Sequence, residues 1–136
     1  MVEYEIDQDN NQINFKMFEY TSVTHLVDKT KELMNDPDLP GNFYMLADLR
    51  EHQTRFSFSD LKKITAAVQN QVPKIKGEVR IAVCSYSSRV NLAVEIAATL
   101  LAILPVAYKM EAFSAMKDAQ AWLEQQKKKN GITIPH

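Results

Sequence analysis

Phe43-Tyr44-Met45-Leu46-Ala47-Asp48-Leu49 is apolar at every position except Asp48. A strand with one wet face alternates apolar and polar side chains. A run without alternation fits a strand covered on both sides, as at the centre of a sheet with helices on its faces. The run therefore predicts an α/β domain built around this segment.

The flanking sequence supplies the other layers. Val2, Tyr4 and Ile6 alternate with Glu3, Glu5 and Asp7, the period of a half-buried strand. Asp9-Asn10-Asn11 has turn chemistry, and Ile13, Phe15, Met17 and Phe18 resume a strand, so the chain opens on a β-hairpin. Thr21-Ser22-Val23-Thr24 offers N-caps for a helix from about Thr24 to Asn35, which Asp36-Pro37 stops. After the apolar strand, Arg50 to Arg55 reads as a polar loop. Ser57 and Asp60 have capping-box spacing, and Leu61, Ile64, Val68 and Val72 form the stripe of a second helix that Pro73 ends. Val79 to Cys84 is a fourth strand and Ser85 to Ser88 the next strand-to-helix loop. A third helix is expected from Arg89 to Leu104 and a short strand from Val106 to Met110. Ser114 is expected to cap a fourth helix with Met116, Ala119, Trp122 and Leu123 inward. Strand-helix alternation after a hairpin predicts a mostly parallel sheet of four or five strands covered by about four helices. One domain over residues 1–126 is expected, with a tail at 127–136.

Composition narrows the function. The 136 residues carry a net charge of -1, which gives no basic face for nucleic acid. Lys127-Lys128-Lys129 reads as a solvated helix end that complements the macrodipole. Cys84 is the single cysteine, so no internal disulfide is possible. The start of the chain, acidic and alternating, is unlike a signal peptide. The longest apolar stretch, Ile96 to Ala107, falls short of the roughly 20 residues that span a bilayer. A cytoplasmic protein is expected. The histidines His25, His52 and His136 are scattered, and glycine is scarce, so neither a metal site nor a nucleotide cofactor is expected.

Several strings resemble the SpoIIAA-like family, also described as STAS/SEC14-like. They are the hairpin ending near Glu19-Tyr20, Val23-Thr24 opening a helix closed by Asn35-Asp36-Pro37, Leu46-Ala47-Asp48-Leu49-Arg50, and Phe113-Ser114 leading to Ala119-Gln120-Ala121-Trp122-Leu123. The resemblance covers residues 2 to about 125 and implies a helix-covered sheet. STAS relatives are switched by phosphorylation of a serine at the start of the second helix. The matching stretch here is Ser57-Phe58-Ser59-Asp60-Leu61, with Ser59 in the serine's place and the motif's leading Asp and its Gly absent. SEC14-like relatives bind lipid in an apolar cavity.

Chemistry is expected where helices begin, at the carboxyl ends of parallel strands. Asp48, Arg50, His52, Arg55, Ser57 and Ser59 belong to one such loop, and Ser85, Tyr86, Ser88 and Arg89 to another. An anion there would gain about 0.3–1 kcal/mol from each helix end. The same serines serve as caps worth about 1 kcal/mol without any ligand. No nucleophile elbow is present, and Asp48 with His52 is the only hint of acid–base chemistry. Asp48 reads mainly as a loop-fixing carboxylate, His52 as a solvated loop residue and Cys84 as a buried thiol. From Val90 to Leu104 the only polar side chains are Asn91, Glu95 and Thr99. So apolar a helix is expected to be buried, or to form a homodimer or lipid contact. The resulting expectation is a non-catalytic protein-interaction or regulatory module of the STAS-like kind, homodimeric through its third helix. The alternative is a binder of a small apolar, lipid or anionic ligand.

Overall fold

The computed structural model describes residues 1–52, 55–71, 75, 77–101 and 108–129. Val72, and the stretch 102–107 that includes part of the expected third helix and fifth strand, lie outside them. The elements are β1 (Val2–Asp7), β2 (Gln12–Glu19), α1 (Val23–Met34), β3 (Phe43–His52), α2 (Phe58–Gln71), β4 (Val79–Cys84), α3 (Ser88–Leu101), β5 (Tyr108–Phe113) and α4 (Met116–Lys129). The sheet runs β1-β2-β3-β4-β5. β1 is antiparallel to β2, and every later pair is parallel.

Sequential order has a geometric consequence. Right-handed crossovers that always step in the same direction put α1, α2 and α3 on one face. The α4 helix, which follows the last strand, takes the other. The cores agree. Ile13, Phe15, Met17, Phe43, Met45, Ala47, Val79, Ile81 and Val83 pack with Leu26 and Leu33 of α1 and Val90 and Val94 of α3. Tyr44, Ala82 and Cys84 pack with Ala119 and Leu123 of α4, and Leu46, Phe113, Met116 and Trp122 border them. Adjacent residues of β3 thus serve opposite cores, as its unbroken apolar run requires.

Local chemistry sets the ends. In the hairpin, the Asp7 carboxylate accepts from the Asn10 backbone N–H at 3.2 Å and from its amide at 2.6 Å, and Asn11 takes a left-handed φ of 52°. The Ser22 hydroxyl accepts from the His25 N–H at 3.1 Å and caps α1. Ser57 and Asp60 form the expected reciprocal box: Ser57 N–H donates to the Asp60 carboxylate at 2.9 Å, and Asp60 N–H donates to the Ser57 hydroxyl at 3.1 Å.

Four expectations need correcting. The β3 strand continues through Arg50 and Glu51 to His52 instead of giving way to a loop at Arg50. An extra residue on β3 opposite the step from Lys16 to Phe18 keeps it paired with the end of β2. The β5 strand reaches Phe113, three residues past the expected end, because Tyr108 to Phe113 register against all of Val79 to Cys84. The first helical turn of α4 starts from the Ala115 carbonyl, which accepts from Ala119 N–H at 3.1 Å, so Ala115 and not Ser114 holds the N-cap position.

The fourth correction is Lys127. It is buried and not solvated, because α4 runs on to Lys129 and sets Lys127 one turn beyond Leu123 on its inner face. Its Nζ donates to Gln12 Oε1 at 2.9 Å and lies 6.0 Å from the centre of the Tyr44 ring. Gln12 also exchanges amide bonds with Gln120 at 3.1 and 3.0 Å. Beside it the buried Arg80 donates to Gln126 Oε1 at 3.2 Å and to the Val79 carbonyl at 3.0 Å. A polar seam therefore fastens the C-terminal half of α4 to the starts of β2 and β4.

Burial pushes the Lys127 amine below its ordinary value of 10.5. The unfolded chain then binds more protons than the folded one between the lowered value and 10.5, so this group's contribution rises with pH through that window. Lys127→Met leaves Gln12 Oε1 its bond from Gln120 and is expected to change stability at pH 7 by no more than about 1 kcal/mol. Urea unfolding at pH 7 and near pH 10 checks it: wild type should gain on the variant as pH rises.

Candidate functional site

The carboxyl ends of β2, β3 and β4 meet at one edge of the sheet, and the start of the antiparallel β1 lies there too, with Val2 opposite Met17. The helices α1, α2 and α3 all begin at this edge. The residues singled out in the sequence gather here, but on two different sides.

Asp48, Arg50 and Cys84 lie toward the α4 side. Asp48 sits opposite Lys16 on β2 and Cys84 on β4. Its Oδ1 accepts from the Arg50 N–H at 3.1 Å and from Arg50 Nε at 2.9 Å, and its Oδ2 accepts from Arg50 Nη2 at 2.9 Å. The bidentate guanidinium holds the Asp48 carboxyl below its usual range, and Asp48 in turn pushes Arg50 higher. The Tyr86 side chain bonds to Arg50 as well. Cys84 is fully buried, and burial pushes its thiol up, which suits an inert sulfhydryl. Alongside, Lys16 Nζ pairs with Glu51 Oε2 at 2.9 Å.

The helix starts lie on the opposite side. Ser57 is spent on the α2 box, as described. The Ser85 hydroxyl accepts from Ser87 N–H at 3.1 Å, and the Ser87 hydroxyl accepts from Val90 N–H at 3.3 Å, capping α3. Arg55, Ser59, Ser88 and Arg89 are exposed. His52 differs from its expectation: it ends β3 opposite Glu19, is partly buried, and its Nδ1 is buried without a partner among the described residues. It lies four positions along the strand from Asp48, roughly 13 Å of backbone, so the two are not brought together as an acid–base pair. Of the three arginines, Arg50 is committed to Asp48, while Arg55 and Arg89 are exposed.

Sequence reasoning missed the apolar character of the edge. The exposed large apolar side chains among the described residues are Met1, Tyr20 (70%), Phe58 (68%), Tyr86 (71%), Leu92 (58%) and Ile96 (42%). Met1, Tyr20, Phe58 and Tyr86 all stand at the strand-end edge. Phe58 extends the spacing of Leu61, Ile64 and Val68 backward, so periodicity alone turns it inward. Its place at the first position of α2 exposes it instead, with Lys62 Nζ 5.0 Å from its ring centre. Leu92 and Ile96 correct the expected burial of α3, whose Val90 and Val94 face the core while these two face outward. Among the described residues no helix is long and apolar enough to cross a membrane, and no group of three or more His, Cys, Asp or Glu side chains could hold a metal ion.

Comparison with protein-family models gives no match, and comparison with curated proteins gives none. Among solved structures, the chain is similar to an uncharacterized protein of the DUF3478 family with a SpoIIAA-like fold from Shewanella loihica PV-4. The identity is 18%, the match covers 90% of this chain and 92% of that one, and the TM-score is 0.58. The fold of this chain is therefore SpoIIAA-like.

Asp48→Asn is expected to cost about 2 kcal/mol at neutral pH, because it leaves the Arg50 guanidinium without its anion. A lowered carboxyl pKa contributes stability above the ordinary value of 3.8 and loses it as pH falls through the lowered one. Urea titrations of wild type and variant should therefore converge below pH 3.8.

Proposed function

We propose that this chain is a non-catalytic interaction or regulatory module of the STAS-like kind, and that the strand-end edge is its working surface. One observation carries the reading. Apart from His52, whose Nδ1 has no partner among the described residues, the groups a catalyst at this edge would use are occupied structurally: Asp48 by Arg50, Ser57 by Asp60, Ser85 and Ser87 by backbone N–H groups, and Cys84 by burial. The groups left outward are Arg55, Phe58, Tyr86 and Arg89, which suit contact. Aromatic and arginine side chains dominate recognition surfaces because they offer large contact area with polar ends. Ser59 is exposed in the first turn of α2, where a phosphate would add negative charge beside Arg55 and change what this edge attracts.

The pocket alternative has less support. Two depressions among the described residues are open and bordered by charge, one by Asp118, Glu124 and Lys128 and the other by Glu3, Lys16 and Glu32. Neither suits an acyl chain.

A second contact is favoured by Leu92 and Ile96, one turn apart and exposed on α3. This pair is the natural seat of a homodimer. Light scattering at micromolar concentration should give twice the chain mass and Leu92→Glu the single mass; a monomeric wild type rules the dimer out.

For the edge itself, Phe58→Ser/Tyr86→Ser should abolish recovery of the tagged protein's cellular partner. Both side chains are largely exposed, so the melting temperature should stay within about 2 °C. Undiminished recovery would remove the edge from the function.

A further inference from the structure

The chemistry of the strand-end edge points to a specific class of partner. Two of its acids are paired with cations, Asp48 with Arg50 and Glu51 with Lys16, while Asp60 stays charged and accepts from the Ser57 N–H. Glu3 and Glu19 are exposed there and belong to no ion pair among the described residues. Its cations are outward. Arg55, Lys62 and Arg89 are exposed and belong to no ion pair among the described residues. The N-termini of α1, α2 and α3 add their partial positive charges at the same edge. A chain with net charge -1 thus gathers three unpaired cations and three helix N-termini at one end, against Glu3, Glu19 and Asp60.

The same end carries the aromatic side chains. Tyr20, Phe58 and Tyr86 follow three neighbouring strands, β2, β3 and β4. Each is more than two-thirds exposed. Two open depressions among the described residues lie elsewhere, on the outer side of α4 and along β1. Separate, outward aromatic groups match a deformable partner better than a rigid one. Amphipathic rings at headgroup depth, flanked by Lys and Arg, are the chemistry of attachment to a negatively charged lipid surface.

We infer that this edge docks peripherally on an anionic membrane surface, with Tyr20, Phe58 and Tyr86 inserted among the headgroups and Arg55, Lys62 and Arg89 on the lipid phosphates and carboxylates. The inference rests on the reading of the edge as a contact surface and gives that surface its partner class. Docking leaves α4, the sheet face beside it and the β1 edge in water.

Sedimentation of the full chain with vesicles tests it. Binding is expected to phosphatidylcholine vesicles with about one third phosphatidylserine, not to pure phosphatidylcholine, and to weaken steeply as salt rises above about 0.15 M. Arg55→Glu/Arg89→Glu and Phe58→Ser/Tyr86→Ser should each lower the bound fraction about tenfold or more, with melting temperatures unchanged. Absence of binding, equal binding to pure phosphatidylcholine, or indifference to both variants overturns the assignment. If vesicles are ignored while Phe58→Ser/Tyr86→Ser still loses a cellular protein partner, the contact surface stands and the lipid assignment alone falls. If the variant loses neither, both readings fall.

Discussion

Phe43 and Tyr44 are chain neighbours, yet each is buried in a different core. A strand can do this only when both sheet faces are covered, so β3 and β4 demand helices above and below. Right-handed crossovers supply three of them to one face. Among the described residues the other face receives α4 alone, and one helix cannot span a five-stranded sheet. It covers the β3 to β5 side, where Tyr44, Ala82 and Cys84 are small or flat enough to lie beneath it. Toward β1 and β2 the same face is lined by Glu3, Glu5, Asn14 and Lys16.

That asymmetry explains the polar seam. Near the strand starts, α4 reaches the limit of the apolar core, and what it meets is Gln12 and Arg80. A buried amine and a buried guanidinium are costly to desolvate unless hydrogen bonds satisfy them. Gln12 on β2 accepts from the amine and Gln126 on α4 accepts from the guanidinium, and neither adds charge. The seam therefore fixes the position of α4 along the sheet more than it adds stability, since amide and amine partners are directional where Leu123 and Ala119 are not.

Much of the architecture was legible because local chemistry and tertiary need coincided. The Asn-rich turn, the Ser57–Asp60 box and the unbroken run of β3 each named their own structure. The failures share a different cause. Arg50, Glu51 and His52 look like loop residues, but cross-strand neighbours such as Lys16 and an extra residue on β3 keep them in the sheet. Lys127 looks like a frayed helix end, and only the position of Gln12 more than a hundred residues earlier shows otherwise. At the candidate site, the caps could be read from spacing. The commitment of Arg50 to Asp48 could not, nor could the outward stance of Tyr20 and Phe58, which depends on where the sheet stops.

The unbroken strand order has one more consequence, for the time course of assembly. Because every strand pairs with its predecessor, the sheet can grow by successive addition, hairpin first, as the chain is synthesised. No strand has to be inserted between two already joined. The one closure that must wait for nearly the whole chain is the docking of α4, whose Lys127 meets Gln12 across 115 residues. Until then Tyr44 and Ala82 face water. The nascent domain is thus a finished sheet with one greasy side uncovered, and its period of greatest vulnerability to aggregation ends with the last helix.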